Sequence, residues 1–207
     1  MRGVLVTGTD TGVGKTFVSA LLCRSRPGVT YVKPAQTGLD DDEADAGVVG
    51  RLAGVATRQG PAFGESLAPA VAATRAGQSV TRSRLLDPFR GLDDVVGEGA
   101  GGLLVELGTD GTTVADLAAD LDLPLLVVAR PGLGTLNHTQ LTCEAIWARG
   151  LRLSGIVVNG YPPDPDIAEQ TNLEQLQRIA PVLAVVPRHD GGALPDLGPV
   201  AAAVWGP

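Results

Sequence analysis

Short, almost wholly apolar runs alternate along this chain with longer stretches whose apolar residues recur every three or four positions. The runs at 3–7, 29–33, 94–98, 123–129, 154–159 and 182–186 are rich in valine and leucine and have the length of buried strands. Helical periodicity marks 15–24, 43–52, 112–120, 135–149, 166–179 and 195–204. Strand and helix taking turns in this way predict an α/β fold, a mostly parallel sheet with helices on both faces. Segment 60–91, interrupted by Pro61, Pro69 and Pro88, has the weakest pattern and reads as a loop carrying two short helices over the site. No low-complexity linker and no internal repeat divides residues 1–207, so a single domain is expected.

In such a sheet, ligands collect beyond the carboxyl ends of the strands. The pairs Thr7-Gly8, Lys33-Pro34, Glu98-Gly99, Ala129-Arg130 and Asn159-Gly160 are therefore the first places to look. The first of them opens GTDTGVGKT, residues 8–16, between an apolar run and a helix. A phosphate-binding loop requires that order. Gly12 and Gly14 let backbone N–H groups converge on phosphate oxygens, Lys15 reaches the terminal phosphates, and the Thr16 hydroxyl joins the shell of a magnesium ion. The fold class narrows to the P-loop NTPase type. Five residues separate Gly8 from Gly14 where the common loop has four, and Thr9 stands in the usual glycine position, so the loop is a variant. A glycine-rich turn with a surface lysine is the plain alternative.

Two further strand ends carry charge. Lys33 leaves its apolar run and meets Pro34, which keeps the backbone stiff and extended, while Thr37-Gly38 adds a hydroxyl and a flexible turn. In this fold the lysine faces the terminal phosphate; by itself it reads equally as a solvated lysine at a strand end. Glu98 is followed by Gly99-Ala100-Gly101-Gly102. An acid at the end of a buried strand is costly unless it meets a cation, and in phosphate-loop enzymes such an acid holds magnesium directly or through water. The alternative is a helix cap or a salt bridge. The acidic run 40–45 makes a solvated loop and a favourable helix N-terminus, with one carboxylate free to reach the metal. Residues 132–137, GLGTLN, enter another helix: their N–H groups form an anion site, or Thr135 or Asn137 simply caps the helix.

Composition removes whole classes of function. Hydrophobic residues make up 44% and the formal charge is -7, which argues against disorder and against nucleic acid as a partner. Cys23 and Cys143 lie in predicted helices among apolar neighbours and read as two buried thiols in a reducing compartment rather than a disulfide or a zinc site. His138 has no second histidine or cysteine at ligand spacing and reads as structural or interfacial. No basic and apolar leader is visible, and no apolar stretch reaches the roughly 18 to 20 residues of a membrane span. A cytoplasmic protein with no membrane partner is the expectation.

Together these residues resemble one family, the dethiobiotin synthetases, ATP-dependent enzymes of biotin synthesis. The matching pieces are residues 8–16, Lys33-Pro34 with Thr37-Gly38, residues 98–102, and Leu133-Gly134-Thr135-Leu136-Asn137-His138, in the family's order across nearly the whole chain. The five-residue spacing of the first loop is the spacing this family uses. The chain departs from the family's pattern in 60–91 and at its C-terminus.

The resemblance implies ATP-dependent carboxylation and ring closure of 7,8-diaminopelargonic acid with carbon dioxide, giving dethiobiotin, ADP and phosphate. One amine becomes a carbamate, its oxygen attacks the γ-phosphate, and the second amine traps the carbamic-phosphoric anhydride. By family position Lys15 and Lys33 stabilise the carbamate and the transferring phosphoryl, Thr11 and Thr37 hold substrate, and Thr16, Asp45 and Glu98 bind Mg2+. Nucleotide contacts extend over Thr11, Gly12, Val13, Gly14, Lys15 and Thr16, with Asp45, Glu98, Gly99, Ala100 and Gly101; the base lies near Asn159, Gly160, Pro187, Arg188 and His189. Leu133, Gly134, Thr135, Leu136 and Asn137, from the neighbouring subunit of a homodimer, receive the distal carboxylate. Two rivals share parts of this pattern. A nucleotide-switch ATPase of the partitioning type usually carries a further lysine early in the loop, where this chain reads Thr9-Asp10-Thr11, and a basic amphipathic C-terminal helix for a membrane is missing here. An amidoligase of the cobyrinate type needs a glutamine-hydrolysing domain, for which 207 residues leave little room.

Overall fold

The computed structural model describes residues 1–189 and 191–206. Its strands are β1 (Arg2–Gly8), β2 (Thr30–Lys33), β3 (Ala56–Gln59), β4 (Asp94–Glu98), β5 (Leu125–Ala129), β6 (Leu153–Tyr161) and β7 (Val182–Pro187). All pair in parallel in one sheet of order β3-β2-β4-β1-β5-β6-β7. The helices are α1 (Lys15–Arg24), α2 (Asp45–Ala53), α3 (Pro69–Arg75), α4 (Arg82–Leu86), α5 (Val114–Leu121), α6 (Thr135–Ala148), α7 (Ile167–Ile179) and α8 (Gly198–Trp205), with a short 3-10 turn at Asp87–Phe89.

Alternation along each strand divides the core in two. On β1, Val4 and Val6 pack on one face with Val18 and Leu22 of α1, Val49 of α2 and Val200 of α8. Leu5 points to the other face, where α3 to α7 contribute Ala73, Leu85, Leu117, Ile146 and Leu176. Both layers exclude water, which is why the central strands read as continuous apolar runs and not as alternating ones. Local signals then set the helix starts. Thr113 and Asp116 form a reciprocal capping box at α5, and Asp166 and Glu169 form another at α7. Both cysteines are buried free thiols; burial pushes Cys23 up to about 12 and Cys143 to about 11. Among the described residues no helix is long and apolar enough to cross a membrane.

The six strands and the six main helices fall where periodicity predicts them, within a few residues at each end. The sequence misses β3, because Ala56-Thr57-Arg58-Gln59 is exposed along its whole length and shows no apolar alternation. It is an edge strand, held by its backbone pairing to β2, and that pairing leaves no mark on composition. Segment 60–91 does carry two short helices, α3 and α4. They pack on the sheet face opposite α1, where Ala72, Ala73 and Leu85 join the core.

Strand order places β1 at the centre. The chain passes from β1 over β4 to β2 and β3, returns to β4, then crosses to the other side of β1 for β5. The carboxyl end of β1 is thus a switch point where two connections part, and Gly8 opens into the crevice between them.

Candidate active site

The loop at residues 9–14 bends back over the end of β1 into α1. Gly14 caps that helix with a left-handed backbone, φ 89°, which favours glycine, and a β-carbon there would push the Asn159 amide out of its place. The Asn159 side chain, from β6, donates to the Val13 carbonyl at 2.9 Å and pins the loop from outside. The Lys15 ammonium bends back to the Asp10 carbonyl, 3.1 Å away. Burial first, and then the charge of Lys33, holds that ammonium below its ordinary value of 10.5.

Two strand ends and two helix starts meet in front of this loop. Lys33 Nζ, at the end of β2, donates to Glu98 Oε1 at 2.9 Å and to the Gly99 carbonyl at 3.0 Å, and pairs with Asp45 Oδ2. The Thr16 hydroxyl lies 2.9 Å from Asp45 Oδ1 and 3.0 Å from Glu98 Oε1. Glu98 is wholly buried, and its second oxygen, Oε2, accepts from the Tyr31 hydroxyl at 2.9 Å. Burial alone lowers the pKa of Lys33, but Glu98 and then Asp45 outweigh it, so the ammonium is held above 10.5. Burial, reinforced by the Glu98 charge, holds the Tyr31 phenol well above its ordinary value. Two hard carboxylates and a hydroxyl converging on one point are donors of the kind magnesium takes, with places left for phosphate oxygens and water. Among the described residues no group of three or more acids, histidines and cysteines forms a closed cage. A metal taken by this donor set would need phosphate oxygens or water to complete its shell.

A cleft of about 350 Å³ opens over these groups. Of the residues singled out in the sequence, Thr11, Gly12, Gly14, Lys15, Thr16, Lys33, Thr37, Asp45, Glu98, Ala100 and Gly101 line it; Val13 and Gly99 do not. No residue of 60–91 does, so the expectation that this segment roofs the site is corrected: Phe63, Ala72, Ala73, Val80, Leu85 and Phe89 face the core, while Leu67 and Val71 are exposed. Within the acidic run, Asp42, Glu43 and Asp45 reach the cleft, and only Asp45 turns to Lys33 and Thr16. Gln36, which the sequence reading passes over, explains that choice. It is buried, accepts the Asp45 N–H at 3.2 Å, donates to the Thr37 carbonyl at 2.7 Å, and so holds the first turn of α2 against β2. Tyr31 is also missed, although its i, i+2 relation to Lys33 puts both side chains on one face of β2.

The remaining predicted residues lie outside the cleft. His189 stacks on Phe17 of α1, ring centroids 5.2 Å apart, and the Arg188 N–H donates to the Tyr161 carbonyl at 2.8 Å. These contacts bring the ends of β6 and β7 to the outer side of the phosphate loop, with Gly160 and Pro187 between them. At residues 132–137 Gly134, φ 91°, caps α6 with no side-chain help, so neither Thr135 nor Asn137 is the cap. The Thr135 N–H is already spent on the Gly132 carbonyl at 3.2 Å, while among the described residues the N–H groups of Gly134, Leu136 and Asn137 have no acceptor. Asn172 of α7 pins the loop through the Pro131 carbonyl at 3.0 Å. Leu133 stands 85% exposed.

The AAA domain family matches residues 2–192. The ATP-dependent dethiobiotin synthetase BioD of Mycolicibacterium vanbaalenii is 46% identical, over 92% of this chain and 89% of the relative. This chain belongs to the dethiobiotin synthetase family. Relatives of the same name from Mycobacterium sp. (strain KMS), 44% identical over 100% of this chain and 97% of theirs, and from Mycobacterium avium (strain 104), 47% identical over 90% and 87%, agree. Among solved structures, a ParA family ATPase from Chlorobium tepidum superposes with a TM-score of 0.58 at 12% identity, covering 98% of this chain and 91% of that one. The Pyrococcus furiosus cell division ATPase MinD gives 0.53 at 16%, covering 99% and 98%. At such identities they show the fold alone. The dethiobiotin synthetase relatives, in contrast, share the sequence along nearly its whole length, and the matched span 2–192 takes in both glycine loops and every strand.

Proposed function

We propose that this member of the dethiobiotin synthetase family closes a cyclic urea on 7,8-diaminopelargonic acid, consuming carbon dioxide and ATP and releasing ADP and phosphate. One observation carries the reading: Lys15, at the start of α1, and Lys33, at the end of β2, share one cleft with Thr11 and Thr37 and with the Thr16, Asp45 and Glu98 oxygens. A carbamate is an anion, and bringing it to a triphosphate needs positive charge on both partners. Lys15 meets the β and γ phosphates; Lys33 lies where the carbamate oxygen forms its bond to γ-phosphorus as the bond to the β–γ bridging oxygen breaks. The second amine then attacks the anhydride carbon, phosphate leaves, and the ring closes. Thr11 and Thr37 hydroxyls orient the diamine.

Mg2+ supplies additional neutralisation of the phosphate oxygens when bound, and Thr16, Asp45 and Glu98 are the residues that would hold it. Backbone N–H groups of residues 12–16 cradle the phosphates; Gly99, Ala100 and Gly101 flank them, and Asn159, Gly160, Pro187, Arg188 and His189 border the base. The distal carboxylate of the substrate is received by residues 133–137 of a second subunit, which supports a homodimer with its substrate site at the interface. We place the whole chain in one cytoplasmic domain. Purified protein given diaminopelargonate, bicarbonate, Mg2+ and ATP is expected to yield dethiobiotin and phosphate in equal amounts. Phosphate released without dethiobiotin would leave an ATPase and overturn the assignment.

A further inference from the structure

We propose that Tyr31 is a positioning residue for this reaction, its phenol fixing the buried Glu98 carboxylate so that a single oxygen, Oε1, faces the cleft. The proposal rests on the reading that Glu98 and Lys33 serve the ATP-dependent chemistry. A carboxylate offers two oxygens and rotates about its last bond, so a buried one adopts whatever orientation its donors enforce. Here the two oxygens have separate partners. Oε1 meets Lys33 at 2.9 Å and Thr16 at 3.0 Å, whereas Oε2 has the Tyr31 hydroxyl, at 2.9 Å, as its hydrogen-bond partner.

The placement of Tyr31 follows from the sheet. Tyr31 and Lys33 share a face of β2, and Tyr31 stands in register with Val96 of β4, two residues before Glu98. One strand therefore supplies a neutral donor to one oxygen and a cation to the other. Tyr31 is completely buried among Val18, Leu22 and Val96, so packing alone is served as well by phenylalanine; among the described residues the hydroxyl is a polar group that only Glu98 satisfies. With it removed, Oε2 keeps its charge but loses its donor, and the carboxylate turns toward whichever donor remains. Such outer partners of a metal-binding or cation-binding acid typically affect affinity or rate by about 10–100-fold when removed.

Tyr31→Phe deletes one oxygen and tests this. We expect Mg2+ for half-activation to rise about tenfold and kcat to fall about tenfold, with KM for the diamine changed less than about twofold. Mn2+ titrated into the protein with a non-hydrolysable ATP analogue should bind about tenfold more weakly, a readout independent of turnover. A melting temperature that falls while metal affinity and half-activation stay at wild-type values would reduce Tyr31 to a packing residue. In the Glu98→Gln background the same change should cost less than about twofold, because its effect passes through the carboxylate; an undiminished loss would also overturn the proposal. Should Tyr31→Phe not fold, 3-fluorotyrosine labelling of the wild type serves, since the chain has only two tyrosines and Tyr161→Phe assigns the signals. The Tyr31 fluorine resonance should move on adding Mg2+ with the analogue and stay still in Glu98→Gln; a wild-type resonance that does not move contradicts the coupling. A wild type that forms no dethiobiotin would instead defeat the reading of the reaction, while the Mn2+ and fluorine measurements still decide the Tyr31 coupling.

Discussion

Two loops of this molecule are built on the same local plan and end in different chemistry. Each leaves a buried parallel strand, β1 or β5, turns through a glycine with left-handed backbone, Gly14 at φ 89° or Gly134 at φ 91°, and enters a helix without a side-chain cap. Each therefore presents unpaired N–H groups and the positive end of a helix dipole. Around the first, β2 and β4 end in Lys33 and Glu98, and Tyr31, Thr16 and Asp45 complete a network in which the buried charges find partners within the chain. Around the second, among the described residues, the N–H groups of Gly134, Leu136 and Asn137 have no acceptor and the buried Thr135 hydroxyl has no partner, while Leu133 is exposed and Arg130, just past the end of β5, is the charged side chain beside Gly134. The difference lies in the neighbours, not the loop: a glycine turn into a helix makes an anion receptor, but only flanking strand ends make a charged cleft.

The sharpest way to break this contrast is to remove a lysine from the first loop's surroundings. Lys15→Met and Lys33→Met are each expected to lower turnover by about a hundredfold or more, since each removes a preorganised charge. Their effects on stability should have opposite signs. The pKa of Lys33 is raised in the fold, so its contribution is complete below 10.5 and is lost only as pH rises past its folded value. Lys33→Met therefore leaves Asp45 and Glu98 unpaired and should cost about 3 kcal/mol at neutral pH, recovered in part by Mg2+. The pKa of Lys15 is lowered, so its charge opposes folding at neutral pH, and that penalty fades as pH rises toward 10.5. Lys15→Met should melt no earlier than wild type. Thermal melts with and without Mg2+, beside rates, check both.

A smaller effect is expected from Glu98→Gln, which keeps shape and removes charge. The Mg2+ concentration for half-activation should rise about 10–100-fold with little change in diamine KM. Identical Mg2+ titrations in wild type and variant would make Glu98 a structural acid and strip the first loop of its metal site.

Mixed dimers examine the second loop on a scale of about twofold. Asn137→Pro removes one of the free N–H groups at a first-turn position where proline is tolerated. Paired with a Lys33→Met chain, each parent homodimer being nearly inactive, it leaves one of two sites free of both lesions. About half the wild-type rate should return, as isologous symmetry requires of a shared site. Folded heterodimers as inactive as their parents would confine the carboxylate site to one chain.

Thr135→Val probes the smallest difference. If the buried hydroxyl has no partner, replacing it by methyl should stabilise by about 1 kcal/mol, a rise of about 2–4 °C in melting temperature. A fall of similar size would reveal a partner that the isolated chain lacks.

By itself the sequence determined the layered α/β fold, the phosphate loop and the placing of Lys33 and Glu98 at strand ends, because apolar runs, glycine spacing and a charge closing a buried strand are local patterns. It also determined the family, since the motifs are read in order. Three things were settled only by the tertiary structure. The polar edge strand β3 exists through pairing with β2; segment 60–91 turns Ala72, Ala73 and Leu85 into the core instead of over the cleft; and Tyr31, hidden in an apolar strand, becomes a donor to Glu98, while Asp45, which the resemblance already singles out of its acidic run, owes its place to Gln36 and Lys33. Each depends on partners far apart in the chain, and a hydrogen bond or ion pair across such a distance writes nothing into the periodicity of either segment.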